Sequence, residues 1–370
     1  MIDNKNKIIL DSLGLPCLVS FEDLVKAIRL DSKLIYWLSS ETENKYKTFE
    51  IPKKNGGVRI IHAPVYSLKQ VQKWILCNII YKIKTSPYSL GFKRSSNLGS
   101  PLYISAQNHK YNLYVLKLDL KDFYPSITKK TVYNLFLSIG YNSQIAFLLT
   151  NICTHHGALP QGAVTSAHLA NLICRKMDYR LAGYCQKHDI VFTRYADDMA
   201  FSSDNRDTLK KAYKTICKII KDEGFIVNDL KTRFMTPKCR KQILGITIND
   251  NQIKVSKDLK RKVRAMIHRS IATGEYNNND VIKGYISYIN SIEPGYLEKT
   301  KKYISELITN SPLELYPEII NRFNSNKIYS DLPNMELKEP SYFVESPYDT
   351  DYMNNEYELH QDYLEGIKCK

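Results

Sequence analysis

Residues Ile190–Ser202 read IVFTRYADDMAFS. Two runs rich in β-branched and aromatic residues flank a short centre, which predicts a β-hairpin with its tip near Ala196-Asp197. Adjacent carboxylates at a tip repel each other, and such a pair is ordinarily a solvated turn. Here the flanks are Tyr195-Ala196 and Met199-Ala200-Phe201, which are not those of an exposed turn. A divalent cation would neutralise the pair. Mg²⁺ takes oxygen ligands at about 2.1 Å, commonly one or two carboxylates plus substrate phosphates.

Upstream, Leu113–Leu120 reads LYVLKLDL and predicts a buried strand. A period of two puts Leu116, Leu118 and Leu120 on one face and Val115, Lys117 and Asp119 on the other. A carboxylate buried there without a partner would be costly. Asp119 is therefore either a strand-end acid with a salt-bridge partner or a third member of a cluster with Asp197 and Asp198. Two cations about 4 Å apart on such a cluster can activate a hydroxyl and stabilise a leaving pyrophosphate.

Working outward, Tyr46–Ile51 and Val58–His62 alternate around Lys53-Lys54-Asn55-Gly56-Gly57, a hairpin signal. Residues 15–45 read as helical, with Ser20 as N-cap. Leu68, Val71, Trp74, Ile75, Ile79 and Ile80 form a helical stripe. Residues 130–185 read as mostly helical, with Ser166 placed to cap a helix over Ala167–Cys174. Residues 207–223 are helical. Residues 241–256 read as two short strands around Asn249-Asp250-Asn251, and 257–310 as basic helix, with Leu259, Val263, Met266 and Ile267 on one face.

The chain has 370 residues, 43% of them hydrophobic, and a net charge of +15. Residues 331–370 hold ten acids against three bases, so the body is more basic still and suits a polyanion. No apolar run approaches 20 residues, and MIDNKNKIIL lacks the apolar core of a signal peptide. A cytoplasmic protein without membrane contact is the simplest expectation. The eight cysteines are scattered without a C-x-x-C pair, which argues against a zinc site.

Leu118-Asp119-Leu120-Lys121-Asp122-Phe123-Tyr124 resembles the first catalytic motif of reverse transcriptases, and Tyr195-Ala196-Asp197-Asp198 resembles their second. Leu159-Pro160-Gln161-Gly162-Ala163-Val164-Thr165-Ser166 resembles the segment between them that cradles template and nucleotide. The resemblance implies an α+β right-hand polymerase fold with fingers, an antiparallel-sheet palm and a helical thumb. It divides the chain into an N-terminal helical extension (1–45), fingers (46–112), palm with interleaved helices (113–248), thumb (249–325) and an acidic, Tyr-rich tail (326–370). It implies two Mg²⁺ ions, with Mn²⁺ as a substitute, on Asp119, Asp197 and Asp198. Arg59 would clamp the triphosphate, helped by Lys53. Gln161 and Gly162 would approach the nucleotide, Tyr124 would exclude a 2′-hydroxyl, and Lys231 would give a proton to pyrophosphate. In the thumb, Lys260, Arg261 and Arg264 would track nucleic acid.

Leu13-Gly14-Leu15-Pro16, Ser86–Phe92 and Gly284–Ile289 look like bacterial retron enzymes. Those copy a folded noncoding RNA into cDNA, prime from an RNA 2′-hydroxyl, leave a branched product, and often act beside an effector protein in anti-phage defence. Two RNA-linked motifs depart from the retron pattern. N-A-x-x-H reads Ser105-Ala106-Gln107-Asn108-His109, and V-T-G reads Ile243-Leu244-Gly245. Three readings stay open: a retron enzyme with branched priming, a non-retron defence reverse transcriptase making unbranched or repetitive cDNA, and a silent RNA-binding scaffold. The intact acids argue against the last. The tail is either a solubilising extension, or a segment that contacts a partner effector or competes with RNA for the basic body.

Overall fold

The computed structural model describes residues 4–40, 44–53, 56–93, 96, 99–273 and 278–309. Lys54, Asn55, the end of the expected thumb and the whole acidic tail lie outside the described residues.

Three helices open the chain, α1 (Asn4–Ser12), α2 (Phe21–Ile28) and α3 (Ser32–Ser39). Ser20 caps α2 as expected. Its hydroxyl accepts from the Asp23 N–H while the Asp23 carboxylate accepts from the Ser20 N–H. The stretch read as one helical region is broken at Arg29, at φ +61, before Asp31 caps α3. Next come β1 (Tyr46–Pro52) and β2 (Val58–Pro64), an antiparallel hairpin running from Tyr46↔Pro64 to Pro52↔Val58. Gly56 and Gly57 take φ of +84 and +78 in its turn, a conformation glycine adopts without a Cβ clash.

Helix α4 (Tyr66–Asn78) buries Leu68, Val71, Trp74 and Ile75, and α5 (Pro101–His109) precedes β3 (Tyr114–Asp119). Then follow α6 (Phe123–Ser126), α7 (Lys129–Ile139), α8 (Ser143–Cys153), α9 (Ser166–Ile173) and α10 (Arg175–Gln186). The predicted hairpin is β4 (Val191–Tyr195) and β5 (Asp198–Ser203), followed by α11 (Arg206–Asp222) and β6 (Arg233–Met235). The main sheet is antiparallel, in the order β4-β5-β3-β6.

Two local expectations are corrected. Ser166 does not cap α9: it lies inside the helix, Thr165 takes the N-cap place, and the Ser166 hydroxyl is buried without a partner. Residues 241–256 hold three short strands, β7 (Gln242–Ile243), β8 (Ile246–Thr247) and β9 (Lys254–Val255). Asn249-Asp250-Asn251 links the last two. The extra strand arises because Leu244-Gly245, at φ +50 and +81, makes a two-residue turn of its own. Three helices close the described chain, α12 (Lys257–Thr273), α13 (Asn279–Ile292) and α14 (Tyr296–Thr309).

The sheet separates two apolar cores. Leu116, Leu118 and Leu120 face the larger one, which runs from Leu10 to Phe225. Val115 and Ala200 face the smaller one with Ala106, Ile243, Ile246, Val263, Ile286 and Ile304. The alternation read from Leu113–Leu120 is thus two-sided burial, and the charged groups of β3 gather where it ends. Among the described residues no helix is long and apolar enough to cross a membrane.

Candidate active site

The register of the sheet brings the three acids together. Asp119, the last residue of β3, pairs directly with Asp198, the first of β5, and directly opposed residues present their side chains on one face. Asp197 sits in the turn just before, its carbonyl accepting from the Leu120 N–H at 3.0 Å. Asn228 fixes the other side, donating its backbone N–H to the Asp119 carbonyl at 2.8 Å.

Two ammonium groups answer these carboxylates. Lys231 Nζ lies 2.8 and 3.1 Å from the oxygens of Asp119. Lys117 Nζ lies 2.6 Å from Asp198 Oδ2. Burial raises the Asp197 carboxyl above its usual range, and the neighbouring Asp119 charge adds to the shift. Burial pushes Asp198 up to about 6 against the pull of Lys117. Burial, and to a smaller extent the mutual repulsion of the acids, therefore disfavours the charged carboxylates of Asp197 and Asp198. Among the described residues no three Asp, Glu, His or Cys side chains converge as a ready cation cage. The donor set is nonetheless all oxygen and anionic, with two lysines standing as cationic partners, and it fits a hard divalent ion.

Of the other expected residues, Arg59 and Tyr124 are coupled to this cluster by charge, while Lys53, Gln161 and Gly162 lie on or against the β1–β2 hairpin. Arg59 is exposed on β2 and its charge acts on both Asp197 and Tyr124. Lys53 is exposed at the mouth of the hairpin, its backbone N–H bonded to the Gly57 carbonyl. Tyr124 lies in α6, and burial, with the Asp197 charge next, pushes its phenol up to about 12. The Gln161 carbonyl accepts from the His62 N–H at 2.8 Å, docking the loop on β2. At Gly162, φ +125, a Cβ would lie 2.8 Å from the His62 carbonyl oxygen and 2.9 Å from Ile61 Cγ2. Glycine is required there by both space and backbone.

The residues expected to touch RNA divide. Ser105, Ala106 and His109 are buried, so they do not present side chains to a ligand. Ser105 Oγ bonds Thr193 Oγ1 at 3.2 Å, and His109 bridges Ser202 and Thr193 at 2.6 and 2.8 Å. Their burial has a simple cause: Ser105 and His109, at i and i+4, share the inner face of α5. Gln107 is half-buried and Asn108 exposed. Ile243 is buried, while Leu244 and Gly245 form the β7–β8 turn. Lys260 is tied to Glu293 at 2.6 Å, and Arg264 lies over the Tyr303 ring at 5.1 Å, so both are engaged within the chain. Arg261 is exposed.

Lys117 was not singled out in the sequence, although its place two residues before Asp119 puts it on the acids' face. A second group had no local signal at all: Arg194 and Asp178, fully buried, pair through two bonds of 2.6 and 2.8 Å.

The profile of the reverse transcriptase (RNA-dependent DNA polymerase) family matches residues 51–248. The Retron Ec86 reverse transcriptase of Escherichia coli is 34% identical over 300 residues, covering 80% of this chain and 92% of that protein. The Retron Mx65 reverse transcriptase of Myxococcus xanthus is 30% identical over 309 residues, covering 77% and 71%. Among solved structures, telomerase from Candida albicans in complex with a telomeric RNA fragment superposes with a TM-score of 0.45 at 12% identity, covering 75% of this chain and 58% of that one. Reverse transcriptases generally use divalent metal ions. The family profile over residues 51–248 and the extent of the retron matches place the chain in the retron reverse transcriptases, as an RNA-directed DNA polymerase.

Proposed function

We propose that this polymerase copies a structured noncoding RNA into single-stranded cDNA, starting from an RNA 2′-hydroxyl, with two Mg²⁺ ions on Asp119, Asp197 and Asp198. The observation that carries the reading is the Asp119↔Asp198 pair beside Asp197, three carboxylates at one end of one sheet. Bound there, the ions would lower the pKa of the attacking hydroxyl and steady the leaving pyrophosphate, with Mn²⁺ able to substitute.

The chain's own residues do the rest. Arg59 offers paired N–H donors to phosphate oxygens, and Lys53 adds a point charge at the hairpin mouth. Tyr124 lies under the sugar and excludes a 2′-hydroxyl from the incoming nucleotide. Gln161 and Gly162 hold the loop against β2, so the nucleotide meets backbone rather than side chain. The Lys231 side chain is 60% exposed. It is free to swing from Asp119 and deliver its proton to the departing pyrophosphate.

In this reading the β1–β2 hairpin belongs to the fingers, the main sheet to the palm and α12–α14 to the thumb. RNA is met by the outward groups Asn108, Gln107, the Leu244-Gly245 turn and Arg261, while Ser105, Ala106 and His109 hold α5 in place. The acidic tail contacts an effector protein, and the assembly works in the cytoplasm in anti-phage defence. Purifying the protein from its native locus and sequencing the bound nucleic acid tests this. A branched RNA–DNA species is expected. Unbranched or repetitive cDNA would overturn the priming assignment.

A further inference from the structure

The turn that carries Asp197 is held from behind. Ala196 has φ +57, a left-handed conformation that is unfavourable for a residue with a Cβ. Its carbonyl accepts from Arg194 Nη1 at 3.0 Å. The same Nη1 reaches Asn171 Oδ1 at 3.2 Å, while Nε and Nη2 hold both oxygens of Asp178. Asn171 donates to the Gly91 carbonyl at 2.9 Å and accepts from Ser89 Oγ at 2.8 Å. Arg194, Asp178 and Ser89 are 0% exposed and Asn171 1%.

The backbone adds a second hold. The Leu90 N–H donates to the Arg194 carbonyl, and the Arg194 N–H donates to the Tyr88 carbonyl. A Cβ on Gly91 would lie 2.9 Å from the Ala196 nitrogen. The segment Ser86–Phe92, singled out in the sequence without a role, is therefore packed against the back of the catalytic turn. Helix α9, which follows Gln161-Gly162, joins through Asn171.

We propose that Arg194, with Asp178, Asn171 and Ser89, is a positioning unit that sets where the Asp197 carboxylate stands. A buried ion pair is weak ground for stability, since apolar residues of similar volume usually serve as well. This one also directs Nη1 to the carbonyl next to Asp197, with Asn171 beside it. A displacement of about 1 Å at a reacting centre can cost on the order of a hundredfold in rate. The network touches neither substrate nor reacting atoms and acts only through the Ala196–Asp197 peptide.

The inference rests on the reading of Asp197 as a cation ligand, and one experiment separates the two. Mn²⁺ binding is measured by the EPR signal of the free ion. The mixture holds the protein, an RNA template, a dideoxy-terminated primer and the matching dNTP, so no chemistry occurs. It is compared with the same mixture lacking protein. The variants are Asp197→Asn and the apolar pair Arg194→Met with Asp178→Leu. We expect both to weaken Mn²⁺ binding, Asp197→Asn at least tenfold and the pair three- to tenfold. The pair should keep its melting temperature within a few degrees and its KM for template unchanged.

If Asp197→Asn binds Mn²⁺ like the wild type, the metal assignment fails. If Asp197→Asn loses binding while the folded pair keeps it, only the positioning role is overturned. Should the pair not fold, Asn171→Ala, which spares the Asp178–Arg194 contact, decides. Weakened Mn²⁺ binding supports the role, and wild-type binding overturns it.

Discussion

His109 gives a prediction whose sign and size both follow from its surroundings. The ring is completely buried, and burial pushes its pKa down to about 3. One ring nitrogen bonds Ser202 Oγ and the other Thr193 Oγ1. Because a hydroxyl can donate or accept, the neutral ring is satisfied on both sides. In the unfolded chain the ring titrates near 6.5. Above that pH neither state binds the proton, and the full contribution of His109 to stability is present. As pH falls below 6.5, the unfolded chain takes up a proton that the native ring refuses, and stability is lost at about 1.4 kcal/mol per unit. At pH 4.5 the loss reaches about 2.7 kcal/mol. His109→Gln keeps hydrogen-bonding capacity and cannot titrate. It should cost about 1–2 kcal/mol at pH 7.5 through poorer bonds and packing. At pH 4.5 the deficit should vanish or invert. Urea unfolding of both proteins at the two pH values measures this. A deficit that stays constant between them would refute the burial of the ring, and with it the structural role given to α5.

Other substitutions test separate parts of the account. Gly162→Ala, at φ +125 with 2.8 Å to the His62 carbonyl, should strain the loop by about 1–3 kcal/mol and raise the KM for dNTP. An unchanged KM would remove the loop from the nucleotide site. Tyr124→Ala should narrow the preference of kcat/KM for dNTP over NTP by tenfold or more, whereas unaltered discrimination would leave Tyr124 a packing residue.

The Ile190–Ser202 hairpin and β3 are legible because their signals are local. Alternation in Leu113–Leu120 and the two runs around Ala196-Asp197 fix the strands, and the pairing Asp119↔Asp198 follows once they are joined. The Gly56-Gly57 hairpin and the Ser20 cap were readable for the same reason. What escaped is polar and non-local. Helix α5 has no clean apolar stripe, since its inner face uses Ser105 and His109, which look like surface residues until Thr193 and Ser202 are placed opposite them. Arg194 finds Asp178 sixteen residues away and Asn171 twenty-three away, on two helices. No spacing rule links such positions. Ser166 misled because a serine at a helix start is usually a cap, whereas here it lies one residue inside. Lys260 and Arg264, expected to track nucleic acid, meet Glu293 and Tyr303 within the chain, contacts that no local pattern signals.

In the proposed mechanism Asp119, Asp197 and Asp198 act together as the polymerising site. Primer extension by the purified protein on an RNA template, with RNA binding measured on the same preparations, tests it most directly. Asp197→Asn and Asp198→Asn are each predicted to abolish cDNA synthesis while RNA affinity stays near that of the wild type. Full extension by either variant would contradict the account.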